Sequence, residues 1–135
     1  MNVLVDTSVW SLALRRAKGG APDVAKELSE LIREGRVQMM GAVRQELLSG
    51  VRDVVQFERL REQLRAFPDV IIETHDWEMA AECFNRCRAA GVQGSNTDFL
   101  ICAVALRHGM SIFSTDRDFV AFQRVLPFQR HRARD

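Results

Sequence analysis

The feature that most constrains this chain is the alternation of very short apolar runs with longer stretches of helical period. Val3-Leu4-Val5, Val37 to Met40, Val70-Ile71-Ile72 and Ser111-Ile112-Phe113 are too short for helices and lack the strict polar alternation of a strand with one wet face. Such runs suit strands covered on both sides, as in a parallel sheet. The stretches between them read as helices. Thr7 or Ser8 caps one that runs through Trp10, Leu12 and Leu14. Pro22-Asp23 opens another, with Val24, Leu28, Leu31 and Ile32 at helical spacing and Gly35 at its end. Further helices are expected over 42–48, over 53–67 before Pro68, from a Thr74 cap to Gly91, from Thr97-Asp98 to Gly109, and over 116–122. Val125-Leu126, cut off by Pro127, is expected to add a fifth strand at an edge. The pattern defines an α/β fold: a central parallel sheet of four to five strands with helices on both faces, an α/β/α sandwich.

The 135 residues carry no repeat and no linker, and 47% are hydrophobic, so one domain spanning 1–135 is expected. A net charge of +1 argues against both disorder and a strongly basic nucleic-acid coat. No apolar run approaches the roughly 20 residues of a membrane helix, and the first residues do not resemble a signal peptide. Cys83, Cys87 and Cys102 are an odd number in a chain that needs no staples, which fits a reducing cytoplasm. Cys83 and Cys87, four apart on one helix face, read as small core residues. Charge is nevertheless uneven. Arg124, Arg130, Arg132 and Arg134 face a single acid, Asp135, at the C-terminus. Arg15, Arg16 and Lys18 precede Gly19-Gly20, either as cations favoured at a helix C-terminus or as contacts to RNA phosphates.

In a parallel sheet, ligands gather outside the carboxyl ends of the strands. Asp6 directly follows the first run, Glu46 lies on the short helix after the second, Asp98 opens the apolar helix, and Asp116 and Asp118 follow the fourth run. Alone, Asp6 and Asp98 read as helix caps, Glu46 as a helix-surface acid, and Asp116 with Arg117 and Asp118 as a solvated turn. Together at one sheet edge they repel, by roughly 4 kcal/mol for two unit charges 4 Å apart at an effective dielectric of 20. Such a cluster needs a cation or shared protons. Oxygen ligands without histidine select a hard ion, Mg²⁺ or Mn²⁺, whose use is phosphoryl chemistry. Nucleotide-loop motifs are absent, and His75, His108 and His131 pair with no obvious nucleophile. A haloacid-type phosphatase calls for an acid at position 8, which is Ser8. A phospho-receiver calls for an Asp after the third run and a late Lys, whereas Glu73 stands there and the last Lys is Lys26.

Four segments carry these acids: Val3-Leu4-Val5-Asp6-Thr7-Ser8-Val9-Trp10, Val43-Arg44-Gln45-Glu46-Leu47-Leu48-Ser49-Gly50, Asn96-Thr97-Asp98-Phe99 running on to Leu106, and Ser114-Thr115-Asp116-Arg117-Asp118-Phe119. In order and spacing they resemble a PIN-domain ribonuclease of the VapC type, the toxin half of bacterial toxin–antitoxin pairs. The resemblance implies a PIN-like fold and a Mg²⁺- or Mn²⁺-dependent endoribonuclease. Its acidic positions match Asp6, Glu46, Asp98 and Asp116, with Asp6, Asp98 and Asp116 as metal ligands. Ser114 matches a supporting hydroxyl, Thr7 or Ser8 is placed to orient Asp6, and Asp118 is a candidate outer ligand. The resemblance also implies a homodimer and a cognate antitoxin that blocks the site. A PIN-like module that binds RNA or protein without cutting is the alternative. Trp10, Leu12 and Leu14 on one helix and Val54, Phe57, Leu60 and Leu64 on another either cover the sheet or form a groove for an antitoxin helix.

Overall fold

A computed structural model of the chain describes residues 1–14 and 21–135. The Arg15, Arg16 and Lys18 cluster lies outside the described residues. Strand β1 (Val3–Val5) is the central strand, with β2 (Val37–Gln38) on one side and β3 (Ser111–Phe113) on the other. Both pairings are parallel: Val3 lies opposite Val37 and Ser111, Leu4 opposite Gln38 and Ile112, and Val5 opposite Phe113. Successive strand side chains point to opposite faces. All three residues of β1 and all three of β3 are buried, so both faces of the sheet are covered, as the unbroken apolar runs imply.

The helices follow the sequence pattern closely. They are α1 (Thr7–Leu14), α2 (Pro22–Arg33), α3 (Gly41–Leu48), α4 (Val54–Leu64), α5 (Thr74–Ala89), α6 (Asn96–His108) and α7 (Asp118–Gln123). Pro22 takes the first position of α2, where its missing N–H costs nothing. Gly109 ends α6 in the left-handed conformation at φ 65°, a place that favours glycine. Helix α6 is so apolar because Phe99 to Ala105 are all buried. The cap of α5 differs from the expectation: Glu73 precedes the helix, Thr74 is its first residue, and the Glu73 N–H donates to Asp76 Oδ2 at 2.9 Å.

Two expected strands are corrected. Among the described residues the sheet has three strands, not four to five. Among the described residues, the backbone pairing at the Val70-Ile71-Ile72 run is a bridge between Met39 and Asp69 and the Val70 N–H on the Met39 carbonyl at 2.8 Å. Ile71 is then 80% exposed. The chain is pinned just before this run. Arg44 on α3 donates to Asp69 Oδ1 at 2.9 Å and to the C-terminal carbonyls of Leu64, at 3.0 Å, and Phe67. Val125-Leu126 is no strand either. It turns back after α7 through bonds to the Phe122 carbonyl, which carries Leu126 into the core. The edge contact of β3 falls later, at Arg130 opposite Ile112.

Charge balance inside the fold explains part of the basic tail. Glu27 on α2 is buried, and His131 and Arg134 both bond its carboxylate; Arg134 also forks onto Glu34 at 2.8 and 3.0 Å. The tail is thereby strapped across β3 to α2, and Arg134 is engaged within the protein. Asp76 is fully buried between Arg107 at 2.8 Å and His108 at 3.1 Å, tying the start of α5 to the end of α6. Burial pushes both carboxyls up, but the hydrogen bonds of their partners overcome it and hold both below the ordinary range. A depressed carboxyl stabilises the fold fully above its unfolded pKa, near 4, and loses that contribution as pH falls through the lower folded value. The melting temperature is therefore expected to be flat from pH 7 to about 5 and to fall steeply below about pH 4. Glu27→Gln should blunt that fall; a profile flat to pH 3 would contradict the pairing.

Candidate active site

With the strand order β2-β1-β3, the connection leaving β1 and the one reaching β3 lie on opposite sides of β1. The crevice of such a sheet opens between these two strands at their carboxyl ends. Asp6 follows β1 there, and Ser114, Thr115 and Asp116 follow β3. The Asp6 N–H donates to the Phe113 carbonyl at 2.9 Å, which continues the sheet pairing by one residue and fixes Asp6 at the rim. Its side chain is only 6% exposed.

Two serines hold Asp6. Ser8 Oγ donates to Asp6 Oδ2 at 2.9 Å and Ser114 Oγ donates to the same oxygen at 2.8 Å. Oδ1 takes part in neither bond. The two serines also lock the loop after β3. The Thr115 N–H donates to Ser8 Oγ and the Asp116 N–H to Ser114 Oγ, both at 3.0 Å. Asp116 Oδ1 in turn accepts the Asp118 N–H at 2.9 Å. Asp118 thus contributes its backbone to the loop that presents Asp116. Between Thr7 and Ser8, Ser8 orients Asp6. Thr7 reaches elsewhere: its Oγ1 donates to Glu46 Oε1 at 2.7 Å, bringing α3 to the start of α1.

Asp98 arrives from the other side on the first turn of α6. The Ser95 N–H donates to Asp98 Oδ2 and the Asp98 N–H to Ser95 Oγ, both at 3.1 Å, a reciprocal capping box. Burial pushes the Asp98 carboxyl up; the Ser95 bonds oppose this, and the negative charges of Asp6 and Asp116 add to it. Asp98 therefore lies within reach of the charges of Asp6 and Asp116. Ser95 and Gly94 lie outside the residues expected from the sequence to support the site, although Ser95-x-x-Asp98 has the capping-box spacing. At Gly94 a Cβ would lie 2.5 Å from Cζ of Phe122 and 3.0 Å from Cζ of Phe99. Phe122 is fully buried and packs on Phe99 and Phe119, so it has little room to retreat. Gly94→Ala is expected to cost about 1–3 kcal/mol in a thermal or denaturant melt. A melt unchanged from wild type would contradict this packing.

Two sets of acids contrast in their partners. Asp76 and Glu27 have cationic partners. Among the described residues, the hydrogen-bond partners of Asp6, Glu46, Asp98 and Asp116 are hydroxyl and backbone N–H groups, and none is a cation. Oxygen donors of net negative charge suit a hard divalent ion. As placed, among the described residues, no three His, Cys, Asp or Glu side chains already form a metal cage. The cysteines stand apart from this chemistry. All three are free and buried, and burial pushes the Cys83 thiol up to about 11 and the Cys102 thiol higher still.

The fold is thus a parallel α/β sheet with Asp6 and Asp116 just past the ends of β1 and β3 and Glu46 and Asp98 on flanking helices. The PIN domain family model matches residues 3–125, and this chain belongs to the PIN domain family. The chain is 33% identical over 131 residues to VapC ribonuclease Mb1587 of Mycobacterium bovis and to ribonuclease VapC11 of Mycobacterium tuberculosis. Each alignment covers 94% of this chain and 96% of the relative. Among solved structures, VapBC2 from Rickettsia felis bound to a promoter DNA fragment matches with a TM-score of 0.79 at 15% identity, covering 97% of this chain and 98% of that one. FitAcB from Neisseria gonorrhoeae matches with a TM-score of 0.78 at 20% identity, covering 97% of each. These structural likenesses establish the fold.

Proposed function

We propose that this chain is a Mg²⁺- or Mn²⁺-dependent endoribonuclease that acts in the cytoplasm as the toxin of a toxin–antitoxin pair. The observation that carries the proposal is the absence, among the described residues, of any cationic partner for the acids around Asp6. A buried carboxylate is costly unless paired, and elsewhere this fold supplies the pair from its own side chains. At the sheet edge that role falls to an exchangeable cation. Asp6, Asp98 and Asp116 would hold it, and Glu46 would complete the acidic set. A divalent ion bound there supplies charge neutralisation on the phosphate and a water activated for attack on phosphorus.

The rest is the work of the chain. Ser8 and Ser114 fix Asp6 through Oδ2, and the same serines fix the backbone that presents Asp116. Ser95 fixes Asp98. Arg15, Arg16 and Lys18 are proposed to meet RNA phosphates. RNA as substrate is supported by the relatives, which are named as ribonucleases. The partner is supported by the VapBC complexes among the structural neighbours. Leu14, Val54 and Val55 are exposed apolar residues that suit an antitoxin helix, while Trp10 and Leu64 belong to the core. Trp77, 58% exposed beside Ala80, Ala81 and Phe84, offers an apolar face for a homodimer. Three buried free thiols suit a reducing compartment, and among the described residues no helix is long and apolar enough to cross a membrane.

Expression in a growing host tests the reading. Induced wild-type chain is expected to arrest growth, Asp98→Asn to lift the arrest, and co-expression of the small protein encoded beside the gene to restore growth. Unimpaired growth while soluble wild-type chain accumulates would contradict it.

A further inference from the structure

The first two residues of α1 divide two tasks between them. Ser8 serves Asp6, and Thr7 reaches across to α3, where its hydroxyl meets Glu46 at 2.7 Å. Glu46 needs such a contact more than the aspartates do. It is exposed, it has the longest side chain of the four acids, and it stands on a helix of eight residues away from the strand ends. An exposed glutamate samples many rotamers, and holding it in one carries an entropic cost. Thr7 is half-buried and β-branched, so its own χ1 is restricted and its hydroxyl is a donor already aimed. We infer that Thr7 is the positioning residue for Glu46, holding its carboxylate at the Asp6 edge so that Glu46 acts with the three aspartates. The inference rests on the nuclease reading above.

The test compares Thr7→Val, which keeps the shape and removes the hydroxyl, with Thr7→Ser, which keeps the hydroxyl. Both are made in the wild-type and the Glu46→Ala backgrounds, and cleavage of a labelled mixed-sequence RNA is followed with Mn²⁺. Thr7→Val is expected to lower kcat about tenfold, the scale of one hydrogen bond to a charged group. Thr7→Ser should stay within about twofold of wild type. In the Glu46→Ala background Thr7→Val should add less than about twofold, because its effect passes through the glutamate. A second readout uses no metal. The Glu46 side-chain scalar couplings in solution should report one χ1 rotamer in wild type and Thr7→Ser, and rotamer averaging in Thr7→Val.

A full-rate Thr7→Val beside a slow Glu46→Ala overturns the inference alone, as does a tenfold loss that persists without Glu46. Couplings already averaged in the wild type overturn it as well. A Glu46→Ala variant that cleaves at the wild-type rate overturns the role of Glu46 in the nuclease reading, and with it the inference.

Discussion

Replacing Asp98 or Asp6 by Asn is expected to reduce RNA cleavage at least 100-fold while leaving the fold intact. Each substitution removes one negative charge, and one of the carboxylates proposed to hold the ion, from a group of acids with no cationic partner among the described residues. Loss of several kcal/mol of charge stabilisation corresponds to two or more powers of ten in rate. The fold should tolerate both changes. An Asn at 98 still offers an oxygen to the Ser95 N–H, and an Asn at 6 still accepts from Ser8 and Ser114. Removing the Asp98 charge also relieves its repulsion with Asp6 and Asp116, so the Asp98→Asn variant should melt no lower than wild type at pH 7. Glu46→Gln and Asp116→Asn should keep more residual activity. The checks are initial cleavage rates with Mn²⁺ and a thermal melt of each variant. Cleavage at the wild-type rate by Asp98→Asn, in a folded protein, would contradict the assignment.

A second large effect concerns stability. On the proposed reading, the charges of Asp6 and Asp116 that press on Asp98 are offset by a bound ion, so a divalent cation should stabilise the folded chain. At 100 times its dissociation constant a ligand specific for the folded state adds about 2.7 kcal/mol. For a chain of this size that raises the melting temperature by about ten degrees. Mn²⁺ or Mg²⁺ should produce the shift, EDTA should reverse it, and NaCl at equal ionic strength should produce much less. The Asp6→Asn variant should lose most of the shift. Equal shifts from MnCl₂ and NaCl would reduce the effect to screening.

What could be read from the residues alone follows the range of the interactions involved. Buried strands such as Val3-Leu4-Val5, the helix start at Pro22 and the cap at Gly109 are local patterns, and they emerge at the expected places. Ile71 and Leu126 lie in runs that look equally strand-like, but their fate is set by distant groups. Arg44 pins the chain before Ile71, and the turn after α7 turns Leu126 inward. The places of Asp6 and Asp116 were legible because they follow directly on the ends of β1 and β3, which mark one edge of a parallel sheet. Their supports were less so. Ser8 reaches Asp6 two residues away, but that Thr7 serves Glu46 depends on a contact 39 residues apart, and Ser8 meets Ser114 across 106, which no spacing rule reaches. The same holds for Asp76. It reads as an ordinary first-turn acid of α5, and only the fold shows it buried against Arg107 and His108.

The most direct test of the central claim is cleavage of one end-labelled RNA by the purified wild-type chain, titrated with Mn²⁺ and then treated with EDTA. Cleavage should rise from background to saturation with added Mn²⁺ and stop on chelation, with products bearing internal cuts. Cleavage that continues undiminished in EDTA, or none at any Mn²⁺ concentration from a folded protein, would contradict the account.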